Sequence, residues 1–145
     1  INDRSIGIEL SNPGHDLGYR DFTAPQMNTL VQLSKNILSR YPIPARNVVG
    51  HSDVAPTRKK DPGERFDWYA LSVEGIGYWP QTFYKEKRIK ISEDNYRQAL
   101  KDYGYDINDS TAAIIAFQRH FLPSICDGKP DQRFFKKLEL LANNI

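Results

Sequence analysis

The 145-residue sequence has very little cysteine: Cys126 stands alone, which excludes an internal disulfide and any metal site built from several cysteines. A single cysteine of this kind is typically a half-buried apolar filler. Long apolar runs are also missing, because no stretch approaches the roughly 18 residues that a membrane-spanning helix needs. The two absences predict a soluble globular chain without a membrane span.

An excess of charge of one sign is lacking too. The chain has 20 Lys and Arg against 18 Asp and Glu, a net charge of +2 at pH 7. Nothing therefore requires nucleic acid as a partner, although the mildly basic pI of about 8.6 suits an anionic polymer. With 39% hydrophobic and 26% charged residues, the composition is that of one ordinary domain, or of a domain near 100 residues with a small appendage.

The start of the sequence lacks a methionine and a recognisable signal segment. The chain enters almost at once into the strand-like run SIGIEL at residues 5–10, with no turn or helix before it. Because a domain seldom begins in this way, we expect a processed product or a fragment.

Hydrophobic periodicity predicts a strand, a helix and a second strand in the first 50 residues. Apolar residues alternate over 5–10, then recur every three or four positions from the capping box TAPQ at residue 23 to about residue 41. The apolar run NVVG at 47–50 is typical of a buried strand. This order is the crossover unit of an α/β fold, with a mixed central sheet flanked by helices.

The remainder predicts a small three-helix bundle. One helix opens near residue 92 and ends at Gly104, a second is capped by Asp109 or Ser110, and a third follows Pro130. Turn residues, aromatics and charges over 75–90 are expected of a domain edge that runs into a linker.

The change from turn residues, aromatics and charges to helical patterns predicts a domain boundary between residues 80 and 90. We assign residues 1–85 to an α/β domain and residues 90–145 to the bundle.

The segment from Gly50 to Trp68 carries the strongest chemical pattern. His51 follows an apolar run, Asp61 lies ten positions on, and Lys59 is among the cations beside it. Because prolines make this segment a poor helix, a loop must bring the imidazole and the carboxylate together. Nitrogen and oxygen ligands with a nearby cation suit zinc hydrolysis, but two ligands are too few.

Other candidates allow two interpretations each. Glu9 is either a solvated carboxylate or a base that overlooks a site, and His15 is either an exposed loop residue or part of a cleft. Asp53 is favoured as a loop brace over a ligand. Arg58 would pair with an internal carboxylate or touch an acidic peptide, and Asn12 would line a groove or serve a turn.

The motifs SIGIEL and GHSDVAPTRKKDPG resemble the zinc-dependent N-acetylmuramoyl-L-alanine amidases of the type-2 amidase superfamily, which also contains the peptidoglycan-recognition proteins. The resemblance covers about residues 1–80. Further on, GYDI, AFQRHF and CDG are similar to the three-helix peptidoglycan-binding domain attached to some of these amidases.

The resemblance implies a role for each matching residue. His51 and Asp61 match the second and third zinc ligands, Lys59 the lysine that stabilises the tetrahedral intermediate, and Glu9 the glutamate that activates the attacking water. The first zinc histidine of the family precedes the SIGIE strand, so His15 does not match it. We expect that histidine upstream of this chain, on a piece that is cleaved off, supplied separately or lost.

The function implied is hydrolysis of the amide bond between N-acetylmuramic acid and L-alanine, in peptidoglycan or in anhydro-muropeptides, for wall turnover or recycling. Substrate-binding candidates are Arg58, Asn12 and His15. The alternative is a module that recognises muropeptides without cleaving them. The expected location is the bacterial envelope or periplasm, with the cytoplasm as the alternative, and polymeric wall and soluble fragments both stay open as substrates.

Overall fold

A computed structural model describes residues 2–80 and 89–143 as a helical protein with long connecting segments. In these ranges lie six α-helices: α1 Ala24–Arg40, α2 His51–Val54, α3 Trp68–Val73, α4 Tyr96–Tyr103, α5 Ser110–Phe121 and α6 Gln132–Ala142. Single turns of 3-10 helix occur at Asn2–Arg4, His15–Leu17 and Ala45–Asn47. None of the six α-helices is long and apolar enough to cross a bilayer.

The long helix α1 confirms the helix predicted after the first loop. Thr23 is its N-cap in extended conformation, and a proline occupies the first turn, where the missing N–H costs no hydrogen bond. The helix ends at Arg40, just before Pro42, and its buried face includes Leu30. The capping box expected over residues 23–26 does not form, because Thr23 makes no side-chain cap hydrogen bond. The prolines at the two ends of the helix were sufficient signals, because they act within one turn of the chain.

The predicted mixed central sheet is wrong, since no β-strand forms within residues 2–80 and 89–143. The segment 5–10 runs without regular structure, and its alternating apolar residues Ile6 and Ile8 are 50% and 39% exposed. Residues 45–47 make a 3-10 turn, and α2 begins at residue 51 where a strand end was expected. Alternation records a preference, but a strand exists only where a neighbouring backbone pairs with it.

The three helices predicted after residue 90 are confirmed. The Asp109 carboxylate accepts a hydrogen bond from the backbone N–H of Ala112 and so caps α5. Asp131 accepts in the same way from the N–H groups of Arg133 and Phe134 at the start of α6. Such caps satisfy donors that the first helical turn leaves free.

Two hydrophobic clusters hold the described residues together. One lies among the C-terminal helices and the segments next to them and contains Ile91, Leu100, Tyr105, Ala113, Ile114, Ala116, Phe117, Phe121, Phe134, Leu138 and Leu141. The other contains Leu30, Phe66, Trp68, Leu71 and Ile76, and the partly buried Trp79 packs against both. The predicted boundary between residues 80 and 90 lies mostly outside the described residues, so the division into two domains stays a prediction.

We predict that Leu138→Ala lowers the free energy of unfolding by about 2–5 kcal/mol, because Leu138 is fully buried and the truncation leaves a cavity. Urea unfolding followed by circular dichroism measures the loss. Lys136→Ala, on the exposed side of the same helix, serves as the control and is expected to change stability by less than about 0.5 kcal/mol. Equal losses in the two variants would contradict the assigned core.

Candidate metal and catalytic site

His51 and Asp61 meet at the surface through the loop that joins them. His51 is the first residue of α2, and the backbone N–H of Ser52 donates to the Asp61 carbonyl over 2.9 Å, which holds the returning chain against the helix. The Asp61–Pro62 peptide bond is cis. As a result His51 Nδ1 and Asp61 Oδ2 lie 3.0 Å apart, with 49% and 62% of their side chains exposed.

This pair has donor atoms that suit zinc. A neutral imidazole nitrogen and a carboxylate oxygen are both common zinc ligands, and two atoms this close can face one ion. The exposure of both side chains leaves room for a substrate. Zinc requires at least three protein ligands, however, and the part of the chain that the structure describes contains no cluster of three His, Cys, Asp or Glu. The donor atoms of the pair fit the ion in chemistry, and the pair would supply two of its ligands.

Tyr19 fastens the loop that carries Asp61. Its hydroxyl donates to the Pro62 carbonyl and accepts from the backbone N–H of Arg65, both over 2.8 Å. Burial raises the pKa of Tyr19 above its usual value of 10, so the hydroxyl keeps its proton and remains a donor. Sequence reasoning missed this brace, since an aromatic residue in a polar loop gives no sign of its distant partners.

His15 and Asn12 lie in the loop before α1, and both have internal partners. His15 Nε2 lies 2.9 Å from a Glu64 carboxylate oxygen, and its ring stacks on Tyr19 with centroids 4.3 Å apart. The Asn12 side chain donates to the Arg20 carbonyl over 2.8 Å and accepts from Gly14 N–H over 3.1 Å. These contacts place His15 beside the loop of the site, which we define as residues 51–65. They give Asn12 a role in a turn.

Glu9 and Lys59 are not joined to the His51 and Asp61 pair by any hydrogen bond or ion pair in the described ranges. Glu9 is exposed and lines an open groove of about 450 Å³ between the segment 8–11 and α1. Lys59 is half-buried, and its backbone N–H donates to the Ala55 carbonyl. Of the four predicted catalytic and metal residues, the structure therefore brings two into contact.

Arg58 is exposed, and no ion pair of its side chain occurs among the described residues. An internal carboxylate partner was one of its two predicted roles. The exposed guanidinium is left facing solvent beside the loop of the site.

Asp53 is the buried polar residue beneath the site, and its predicted role as a loop brace is confirmed. Its Oδ2 accepts from Gly50 N–H over 2.7 Å. Its two oxygens also receive the Tyr105 hydroxyl and His120 Nδ1, each over 2.8 Å. Tyr105 and His120 were not predicted as part of the site, because Tyr105 lies in a polar connecting segment and His120 in α5, and neither context indicates a contact with Asp53.

Comparison with known proteins gives one family and several relatives. The family described as N-acetylmuramoyl-L-alanine amidase matches residues 1–64. The N-acetylmuramoyl-L-alanine amidase AmiD of Escherichia coli is 38% identical over 90% of this chain and 54% of its own length. The 1,6-anhydro-N-acetylmuramyl-L-alanine amidase AmpD of Enterobacter cloacae is 49% identical, over 46% of this chain and 34% of its own length.

Two solved structures resemble this fold. E. coli AmiD, in complex with the substrate anhydro-N-acetylmuramic acid-L-Ala-D-gamma-Glu-L-Lys, superposes with a TM-score of 0.72 and 33% identity over 87% of this chain and 53% of its own. AmpDh3 of Pseudomonas aeruginosa, in complex with anhydromuramic pentapeptide, gives a TM-score of 0.72 and 35% identity over 88% and 55%. The chain thus spans about half the length of the AmiD and AmpDh3 chains it matches.

We predict that Gly63→Ala destabilises the loop of the site more than Gly14→Ala does. Both glycines have positive φ, 87° and 73°, so alanine costs about 1–2 kcal/mol at either position. At Gly63 the added β-carbon would also collide with the Tyr19 hydroxyl, whereas at Gly14 it would meet nothing. An overpacking cost of about 1–3 kcal/mol follows at Gly63 alone.

Urea unfolding of the two variants measures the difference. Equal destabilisation would show that Tyr19 does not pack against this loop.

Proposed function

We propose that this chain is part of a zinc-dependent amidase that hydrolyses the amide bond between N-acetylmuramic acid and L-alanine in peptidoglycan or anhydro-muropeptides. The observation that carries the proposal is the approach of His51 Nδ1 to Asp61 Oδ2, 3.0 Å apart and open to solvent. Both residues lie in the stretch that matches the amidase family. The relatives named as muramoyl amidases agree with this activity.

His51 and Asp61 would hold the zinc ion. The third ligand, a histidine expected from upstream sequence, stays a prediction. A bound zinc ion polarises the substrate carbonyl and makes water a stronger nucleophile at neutral pH. The chain's own contribution is then to hold the two ligands in place. Two hydrogen bonds do this: Ser52 N–H donates to the Asp61 carbonyl, and the Tyr19 hydroxyl donates to the Pro62 carbonyl.

Glu9 is proposed as the general base and acid. A carboxylate near the scissile bond can take a proton from the attacking water and return it to the departing amine of L-alanine. Glu9 is exposed and lines an open groove, so its carboxylate is accessible from solvent. Lys59 is proposed to face the oxyanion that develops on the carbonyl oxygen, where a fixed cation is most effective.

The substrate class follows from the relatives and from the exposed charges near the loop. AmiD and AmpDh3 are described as complexes with an anhydro-muramoyl tripeptide and an anhydromuramic pentapeptide. Arg58 offers an exposed guanidinium, which can pair with the carboxylates of a stem peptide. Asn12 and His15 are weaker substrate-binding candidates, because their polar atoms already have internal partners.

We further propose that the helices after residue 90 bind the wall polymer and that the protein acts in the bacterial envelope. The C-terminal motifs resemble a peptidoglycan-binding domain, and a wall-binding part is useful only where intact wall is present. Cytoplasmic recycling of anhydro-muropeptides is the alternative that the AmpD relatives favour.

A muropeptide-binding module without catalysis is the second candidate function. It is favoured by one observation, that the described residues supply two metal donors and no cluster of three. Zinc content separates the two functions, since the amidase requires about one ion per molecule of the native full-length protein and the module requires none.

We predict that Glu9→Gln keeps the zinc content of the full-length protein and loses at least about a hundredfold in hydrolysis of an anhydro-muramoyl tripeptide, because the amide cannot accept the proton. Chromatographic detection of the released peptide measures the rate. Glu93→Gln, at an exposed carboxylate in the C-terminal part, is the control and should cleave normally. Normal cleavage by Glu9→Gln would refute the general-base role.

We also predict that Lys59→Met lowers kcat by about 100-fold with a small change in KM, because the cation acts on charge that exists only in the transition state. Lys60→Met, at the adjacent exposed lysine, should retain activity. A loss confined to KM would assign Lys59 to substrate binding instead.

A further inference from the structure

The short helix α2 carries the proposed metal ligand His51 and depends on one buried side chain. α2 has only four residues, His51–Val54, so it has little helical hydrogen bonding of its own. Asp53 closes the turn: its carboxylate accepts from Gly50 N–H over 2.7 Å, and its own N–H donates to the Gly50 carbonyl over 3.1 Å. The direction of His51 therefore depends on where Asp53 is held.

The Asp53 carboxylate is 8% exposed, and a buried carboxylate is stable only if its oxygens are hydrogen-bonded. Gly50 supplies one donor from within the turn. The other two donors come from the C-terminal helical part, residues 89–143. The Tyr105 hydroxyl donates to Asp53 Oδ1 and His120 Nδ1 to Asp53 Oδ2, each over 2.8 Å. Without them the carboxylate would have to move toward water to recover its lost partners.

Tyr105 and His120 are held by packing that leaves them little freedom. Tyr105 is 4% exposed, and burial, followed by the negative charge of Asp53, raises its pKa well above 10, so the hydroxyl remains a donor. The His120 ring lies between Trp68 and Phe121, with a centroid distance of 4.0 Å on each side. Both donors therefore present a fixed geometry to Asp53.

Gly50 connects this arrangement to the other proposed metal ligand, Asp61. A β-carbon at Gly50 would lie 2.7 Å from Pro62 Cδ, 3.2 Å from Asp53 Oδ2 and 3.3 Å from Trp68 Cζ2. The backbone at Gly50 thus packs against the residue that follows Asp61 as well as against Asp53. A shift of Asp53 would disturb both sides of the His51 and Asp61 pair.

We propose that Tyr105 and His120 are positioning residues for the metal pair, acting through Asp53 from the C-terminal helical part. This inference rests on the proposed function for the identity of the metal and the ligands. It makes the C-terminal part a component of the catalytic site in addition to any wall-binding role. Partners that orient a metal site from outside its ligands commonly change metal affinity by 10- to 100-fold.

Tyr105→Phe tests the proposal by removing one hydroxyl. In the native full-length protein we expect zinc affinity, measured by competition with a chromophoric chelator, to fall about tenfold. Phe134→Leu is the matched control, because Phe134 lies fully buried in the same C-terminal cluster and packs on Phe117 and Tyr96. It should lower the melting temperature while leaving zinc affinity within twofold.

A pair of His120 variants provides the second arm. His120→Asn keeps an N–H donor near the position of Nδ1 and should retain most of the zinc affinity, whereas His120→Leu should lose about as much as Tyr105→Phe. Amide hydrogen exchange at Gly50 and Asp53, measured without zinc, should rise in Tyr105→Phe and His120→Leu and stay unchanged in Phe134→Leu. This readout does not depend on catalysis.

The outcomes distinguish the positioning role of Tyr105 and His120 from the proposed amidase function. Wild-type protein that binds zinc and cleaves muropeptide, together with a Tyr105→Phe variant of unchanged zinc affinity and exchange, overturns only the positioning role. Wild-type protein that binds no zinc overturns the proposed function, and the positioning of a metal pair with it. Equal loss of zinc affinity in Tyr105→Phe and Phe134→Leu would reduce Tyr105 to a structural role.

Discussion

The buried carboxylate of Asp53 is the interaction on which the arrangement of the described residues depends. It closes the turn that begins at Gly50 and receives two donors from residues 52 and 67 positions further along the chain. A charged group in this position is costly unless every donor stays in place. The same carboxylate therefore orders the loop beneath His51 and ties the C-terminal helices to it.

In the candidate site, the proposed ligands and the groups that support them differ in exposure. The candidate metal pair, His51 and Asp61, is exposed, whereas the groups that hold it are buried or half-buried. Tyr19 fixes the Asp61 side of the loop through Pro62 and Arg65, and Asp53 fixes the His51 side. Rigid support beneath exposed ligands lets a substrate enter without loosening the geometry of the metal donors.

The aromatic residues between the two hydrophobic clusters extend this connection. Trp68 belongs to one cluster and stacks on His120, while Trp79 packs against both. His120 is hydrogen-bonded to Asp53 and stacked on Trp68. A movement of either neighbour would therefore shift the His120 ring and disturb its contact with the other. The C-terminal helical part, which we propose binds the wall, is in this way also a neighbour of the proposed zinc ligands.

The sequence by itself determined the longer helices and the donor atoms of the candidate metal pair. Caps such as Asp109 and Asp131 act within one helical turn, and the His51 and Asp61 motif lies in one loop of eleven residues. The lack of strands within the described residues could not be predicted in this way, because strand pairing depends on a distant backbone that alternation does not identify. Nor could Tyr105, His120 and Tyr19, whose partners lie 52, 67 and 43 positions away. Only the tertiary structure decided these contacts, because burial converts an ordinary carboxylate or hydroxyl into a group that must find its partners elsewhere in the fold.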